Sequence, residues 1–270
     1  MLTVVGTGAS LAMESLGRFG HFCWQMSRWL GPGVFQFRVW RRTMPLMYEV
    51  GNRTVPVIVI TGTFVGLVLA VQSYDQLKAA GFEQRMGVLV SLSLVRELGP
   101  VLAGVMVAGR VGGALTAELG TMRVTEQIAA LSVMGVDPIR QLVVPRFLAC
   151  FLLTPLLTLF CDLCGSLAGW FVAVRLKHIP SSPYWYFVAD SIETWDLVTG
   201  LLKSLLFGGL IALIACYKGF HCKTGAEGVG RACTESFVAS FIVILAVNFF
   251  VGTFFSGLYR GLYGFKSLVG

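Results

Sequence analysis

Five stretches of this sequence are long enough to cross a bilayer and almost free of charge, which leaves such a chain few ways to fold. Thr54–Tyr74 (TVPVIVITGTFVGLVLAVQSY) contains no Asp, Glu, Lys or Arg. Met86–Gly109 is interrupted only by Arg96 and Glu97, Phe147–Val174 only by Asp162, and Leu197–Tyr217 only by Lys203; Ser236–Tyr259 is uncharged throughout. A helix needs about 20 residues to span the hydrocarbon core, and the first stretch would rise roughly 31 Å. In lipid every backbone polar group must be satisfied within the segment, so these runs predict helices. Barrel strands would alternate polar and apolar residues over about ten positions, and these runs do not alternate. The composition agrees: 56% apolar and 13% charged residues leave too little polar surface for an ordinary soluble enzyme.

The net charge of +7 is read by position. Counted by connection, 13 basic residues fall on the side of the N-terminus and seven on the other, Lys203 near the start of its span included and Arg96 left out. That asymmetry predicts a cytoplasmic N-terminus and an outer C-terminus, and it implies no nucleic-acid partner. The chain therefore reads as one domain, 1–270, with 1–53 cytoplasmic or interfacial and 54–260 membrane-embedded in spans near 54–74, 86–109, 147–174, 197–217 and 236–259. Leu11–Leu30 and Phe35–Tyr48 mix aromatic and basic residues, the pattern of helices lying in the membrane interface; a plain soluble helix is the alternative. The start has neither the order of a signal peptide nor the Arg/Ser-rich character of a transit peptide.

Charge inside a bilayer costs at least ~2.5 kcal/mol per group on insertion scales. Arg96, Glu97, Asp162 and Lys203 should therefore face other helices or a cavity. Neighbouring Arg96 and Glu97 point about 100° apart on a helix, so their partners lie elsewhere, and Lys203 is the expected partner of Glu97. Gly99-Pro100 follows immediately, and a kink or break is expected there. The pair either lines a polar cavity or fixes helix packing. Small residues recur at contact spacing in Gly62/Gly66, Gly165/Gly169 and Gly257/Gly261, and along Gly104, Ala108, Gly109, Gly112 and Gly113, which predicts close helix approach.

Between spans two and three, Ala114–Met134 predicts an amphipathic helix with Val124, Ile128, Leu131 and Met134 on one face. Gly135 is placed to cap it and Asp137-Pro138 to end it. It either docks on a partner or lies on the lipid. The seven cysteines suggest no disulfide framework, and Cys161/Cys164 read as buried small hydrophobes. His21, His178 and His221 are scattered, so no metal or catalytic constellation emerges. No G-x-x-x-x-G-K-[ST] motif is present, so ATP would be bound elsewhere. Gly225–Gly230 reads as a flexible loop.

Several motifs carry a family resemblance: R-E-L-G-P at Arg96–Pro100, A-G-R-x-G at Ala108–Gly112, A-E-L-G-T-M at Ala117–Met122, T-E-Q-I at Thr125–Ile128 and V-P-R at Val144–Arg146. With F-V-G-L-V-L-A-V-Q at Phe64–Gln72 and L-L-K-S at Leu201–Ser204, the sequence resembles the MlaE (YrbE-like) family. These are permease subunits of ABC-type phospholipid transporters. The resemblance implies an all-α integral membrane protein with an N-terminal interfacial helix, five transmembrane helices and a cytoplasmic coupling helix between spans two and three. It implies a homodimer enclosing a lipid cavity in a bacterial inner membrane, with two copies of a separate ABC ATPase that carries ATP and Mg. A STAS-domain subunit and a hexameric MCE-domain periplasmic protein complete the implied assembly. Its implied work is movement of phospholipid between inner and outer membranes, which maintains outer-membrane asymmetry; a non-translocating scaffold for the MCE and ATPase subunits is the alternative.

By that resemblance Arg96, Glu97 and Lys203 would line the lipid site, and Gly120–Pro138 would couple to the ATPase through Gly120, Arg123, Glu126, Gln127, Met134, Gly135, Asp137 and Pro138. The chain itself would hold no cofactor or metal. A phospholipid site needs apolar walls with a few charges at headgroup depth. Leu67, Leu69, Val71 and Leu94 can form wall, Arg96 and Lys203 can hold phosphate, and Gln72 and Tyr74 lie within reach of a headgroup.

Overall fold

The computed structural model describes Glu14, residues 17–31 and residues 37–263. Every regular element among them is helical. Helix α1 covers residues 17–31, α2 Phe37–Ala80, α3 Glu83–Val124, α4 Gln127–Val133, α5 Ile139–Leu176, α6 Ser181–Ser191, α7 Thr194–Phe220 and α8 Ala226–Tyr263. Five of these, α2, α3, α5, α7 and α8, are long and apolar enough to cross a membrane. The expected all-α architecture is therefore present. The N-terminal helix of the expectation falls partly outside the described residues, since of 11–16 only Glu14 is described.

The helices overrun the uncharged runs. Residues 37–53, expected as a separate interfacial segment, continue into span one as the 44-residue α2. Span two runs on to Val124. Only lipid requires a span to be uncharged; the backbone ladder continues wherever propensity allows.

α5 is the central helix, packed against α2, α3 and α7, while α8 lies on α7 and α3. The α2–α5 seam is parallel, and small residues make it. A Cβ at Gly62 would stand 2.8 Å from the Cys161 carbonyl oxygen, and one at Gly66 would overlap the Gly165 carbonyl. Gly165 and Gly169 in turn admit Leu94 and Val90 of α3. Gly104, Gly109 and Gly112 receive side chains of α7 and α8. Among the described residues nothing lies against Gly257 or Gly261.

Two apolar clusters follow. The larger joins Val107, Phe147, Leu157, Phe207, Ile211 and Ile244 through the middle of the bundle. The smaller sits where α2 and α5 end and is closed by Tyr184 and Val188 of α6.

Wide π-helical turns interrupt the long helices at Leu94–Leu98, Ala108–Gly112, Ile139–Val143 and Val172–Leu176. At Gly99-Pro100 the helix does not break, as the proline had suggested. A π turn ends at Leu98 and Gly99-Pro100 opens the next α-helical stretch, so the proline falls in a first turn rather than in an α-helical interior. Nor is Ala114–Met134 one helix. It breaks at Thr125–Glu126, where Glu126 adopts the left-handed conformation (φ 59°). Beyond the break Gly135, at φ 74°, caps α4 as expected. Val136 N–H donates to Leu131 O and Gly135 N–H to Ser132 O, the paired bonds of a Schellman cap. Gly225 turns with positive φ, but Gly228 and Gly230 belong to α8 rather than to a flexible loop.

Candidate functional site

Three of the four charges expected within the spans, Arg96, Glu97 and Lys203, do not stand alone. Lys203, nine residues into α7 and so about 14 Å from its start, reaches across to α3. Its Nζ lies 2.7 Å from Glu97 Oε1 and 3.0 Å from the Arg96 carbonyl oxygen. The second contact has a backbone cause. The Arg96 carbonyl would ordinarily accept from the N–H four residues on, and that residue is Pro100, which has none. The lysine ammonium takes the place of the missing donor.

Arg96 turns the other way. Its Nε donates to Asp196 Oδ1 at 2.6 Å. Asp196 also closes the capping box of α7: its Oδ2 accepts the Glu193 N–H at 3.2 Å. Glu193 Oε2 accepts from the Tyr259 hydroxyl of α8, and Glu97 Oε2 accepts from Asn248 Nδ2 of the same helix. Thus α3, α7 and α8 meet in one polar network.

Burial is divided unequally within it. The side chains of Lys203 and Asp196 are 4% and 2% exposed, those of Arg96 and Glu97 45% and 50%. The α7 charges form the back of the site and the α3 charges its open face. The terminal guanidinium nitrogens of Arg96 have no partner among the described residues. A planar, permanently charged fork left free beside a buried ion pair is suited to an oxyanion such as a phosphate. Gly252 keeps the approach open, since a Cβ there would lie 3.4 Å from Lys203 Nζ and 3.5 Å from Glu97 Oε1. Asp162 faces α3, as a charge in a span should, but outside this network. It fills the space left by Gly99, and its Oδ1 is buried without a hydrogen-bond partner among the described residues.

The expected Glu97–Lys203 pair is therefore present, with Arg96 beside it. Asp196, Glu193, Asn248 and Tyr259 were not anticipated. Asp196 stands two helical turns before Lys203 on the same side of α7, and Asn248 is the one carboxamide in the fifth uncharged run; both were available signals. Of the expected wall residues, Leu67, Leu69 and Leu94 share the smaller apolar cluster. Leu94 is fully buried, packed on Gly165. Val71 and Gln72 are exposed. Tyr74 carries Lys78 and Lys177 over its ring, at 5.6 Å and 4.3 Å.

Of the expected coupling residues, Arg123, Glu126, Gln127, Met134 and Gly135 are exposed. Val133 beside them is 88% exposed. Gly120 is buried against Val229 and Cys222. Asp137 holds two neighbours: Oδ1 accepts the Ile139 N–H and Oδ2 the Trp29 indole N–H at 2.7 Å. Arg140 covers the same indole at 4.9 Å, so α1 is pinned to the segment that follows α4.

Five helices long and apolar enough to cross a membrane, three of them joined by one charged network, make a multi-pass membrane protein. The family described as Permease MlaE matches residues 43–254, and the chain belongs to it. A probable ABC transporter permease protein of Rickettsia felis is 40% identical over 243 residues, covering 90% of this chain and 92% of the relative. The intermembrane phospholipid transport system permease protein MlaE of Haemophilus influenzae is 36% identical over 214 residues, 77% of this chain and 82% of its own. The chloroplastic protein TRIGALACTOSYLDIACYLGLYCEROL 1 of Arabidopsis thaliana is 35% identical over 216 residues, 80% of this chain and 62% of its own. The chain is thus an ABC transporter permease subunit, not itself an enzyme, and membership implies an ATPase partner.

Proposed function

We propose that this chain is the membrane subunit of an ATP-driven transporter that moves phospholipid between the inner and outer membranes of a bacterium. The observation that carries the reading is Arg96: its Nε is anchored on buried Asp196 while its terminal nitrogens have no partner among the described residues, next to the Lys203–Glu97 pair. A lipid phosphate would take the free fork. Glu97 and Asn248 would take the amine or hydroxyl of a headgroup, and the acyl chains would lie along the apolar flanks of α3 and α8. The relative from Haemophilus, named for intermembrane phospholipid transport, supports the same substrate class.

In this reading two copies of the chain face one another across the open side of the site, within the inner membrane, N-terminus in the cytoplasm and C-terminus in the periplasm. Two ATPase subunits engage α4 and its flanks, with Arg123, Glu126, Gln127, Val133 and Met134 as the contact surface. Gly135, Asp137 and Pro138 hold that surface in place, and Gly120 holds it against α8. A STAS-domain subunit and a hexameric MCE-domain protein complete the assembly.

The test is lipid transfer by the purified complex in proteoliposomes. Arg96→Ala and Glu97→Ala should each lower ATP-dependent transfer and co-purifying lipid at least tenfold while leaving assembly intact, a loss of the size expected when a charge-assisted contact is removed. Unchanged transfer in both would remove these residues from the lipid path. An assembled complex that moves no lipid under any condition would favour the scaffold reading.

A further inference from the structure

A second charged recess lies at the opposite end of the bundle. The start of α2 and the start of α5 enclose a cleft of about 640 Å³ lined by Arg41, Arg42, Leu46, Glu49, Gln141 and Arg146, with Pro45 and Pro145 between them. That is the size of a small-ligand site. Its charges are only partly compensated. Glu49 pairs with Arg53 at 3.2 Å, and Arg146 with Glu118 at 2.8 Å. Arg146 also donates to the Leu142 carbonyl at 2.8 Å, and its side chain is buried. Arg41 and Arg42 have no partner among the described residues, so two cations remain uncompensated at the mouth.

The depth of the cleft follows from the parallel seam. Gly62 meets Cys161 and Gly66 meets Gly165, which brings Arg146 level with α2 near residue 47. Phe147, next along α5, begins its uncharged run. The cleft therefore opens at the boundary between hydrocarbon and water. Met44 and Tyr48, beside it on α2, are largely exposed apolar side chains, as suits that boundary. Two free guanidinium groups above Leu46 and the two prolines match a phosphate with an acyl chain below it. Basic pockets in this position hold anionic lipid headgroups.

We infer that the cleft between the starts of α2 and α5 binds the headgroup of an anionic phospholipid from the leaflet at that end, separately from the Arg96 site. Arg41 and Arg42 take the phosphate, and buried Arg146, paired with half-exposed Glu118, forms the floor.

The assembled permease, purified in mild detergent, is titrated with phosphatidylglycerol and with phosphatidylcholine, and bound lipid is counted by native mass spectrometry. Phosphatidylglycerol should be retained in excess. Arg41→Gln/Arg42→Gln should weaken it on the order of tenfold or more, from about one charge contact per arginine, and Arg41→Lys/Arg42→Lys should largely restore it. Arg96→Ala should leave this bound lipid in place, which separates the two sites. Three results would overturn the inference. One is equal retention of the two lipids. Another is displacement by millimolar inorganic phosphate, which would mark a site for free anions. The third is unchanged lipid with loss of ATPase capture in the glutamine variant, which would mark a protein-docking surface.

Discussion

At the scale of single residues, the most informative one is Lys203, because it serves two masters: a carboxylate and a backbone carbonyl. Removing it leaves Glu97 without its cation and the Arg96 carbonyl without its donor, so Lys203→Met should lower the melting temperature of the solubilised protein. The two losses can be separated. Pro100→Ala restores a backbone N–H at the position where the carbonyl expects one. In that background Lys203→Met should cost less by about 1 kcal/mol, the net worth of one hydrogen bond. Equal costs in both backgrounds would mean the carbonyl contact contributes nothing. The Glu97–Lys203 pair was legible in the sequence because charges in lipid must find partners. For Asp196 the sequence offered only its spacing from Lys203, since it sits just outside the uncharged run of span four, where a carboxylate needs no explanation. Its importance depends on how α3 and α7 are registered, which no single segment encodes.

At the scale of elements, glycine positions of one sequence pattern have opposite fates. Gly66 lies against the Gly165 carbonyl, whereas Gly257 meets nothing among the described residues. Gly66→Val should therefore prevent α2 from docking and sharply reduce folded protein in the membrane, while Gly257→Val should leave the folding of a single chain unchanged. Fluorescence-detected size exclusion of the two variants checks the contrast. α4 offers a milder perturbation. Gly135→Ala puts a side chain where φ is 74° and should destabilise that cap by roughly 1 kcal/mol. The readout is weakened capture of the ATPase subunit without loss of the five spans. The spans themselves were legible, since lipid demands long uncharged helices. Their ends were not, because hydrogen bonding does not stop where the lipid does. The break at Glu126 was also missed: neither glycine nor proline marks it, and a local T-E-Q sequence is compatible with helix.

At the scale of the whole molecule, five crossings place the connection around Gly81 and the turn around Lys223 on opposite faces. Single cysteines introduced at Gly81 and Lys223 in a background lacking the native seven should be labelled by a membrane-impermeant maleimide from opposite sides. By the distribution of basic residues, Gly81 should react from the periplasm. The open side of the charged network also makes a steric prediction. Gly252→Leu should fill the approach to Lys203 and Glu97 and suppress lipid transfer, while Gly252→Ala, with ordinary contacts near 3.4 Å, should retain most of it. The general architecture could be read from hydropathy alone. The opening of the network toward α8 could not, because it depends on which side of a sparsely covered helix turns inward.

The bond between Lys203 and the Arg96 carbonyl has a kinematic meaning as well. One rung in the ladder of α3 is supplied by a different helix, so the two cannot separate beyond the reach of the lysine stem without emptying it. They cannot move closer either, because the Gly200 backbone already rests on the Val95 carbonyl and leaves no room even for a methyl group. What remains is rotation. The lysine stem, with its four rotatable bonds, acts as a ball joint that lets α3 swivel against α7 while the contact persists. Any motion that opens or closes this subunit at its charged network should therefore be a turn about that joint.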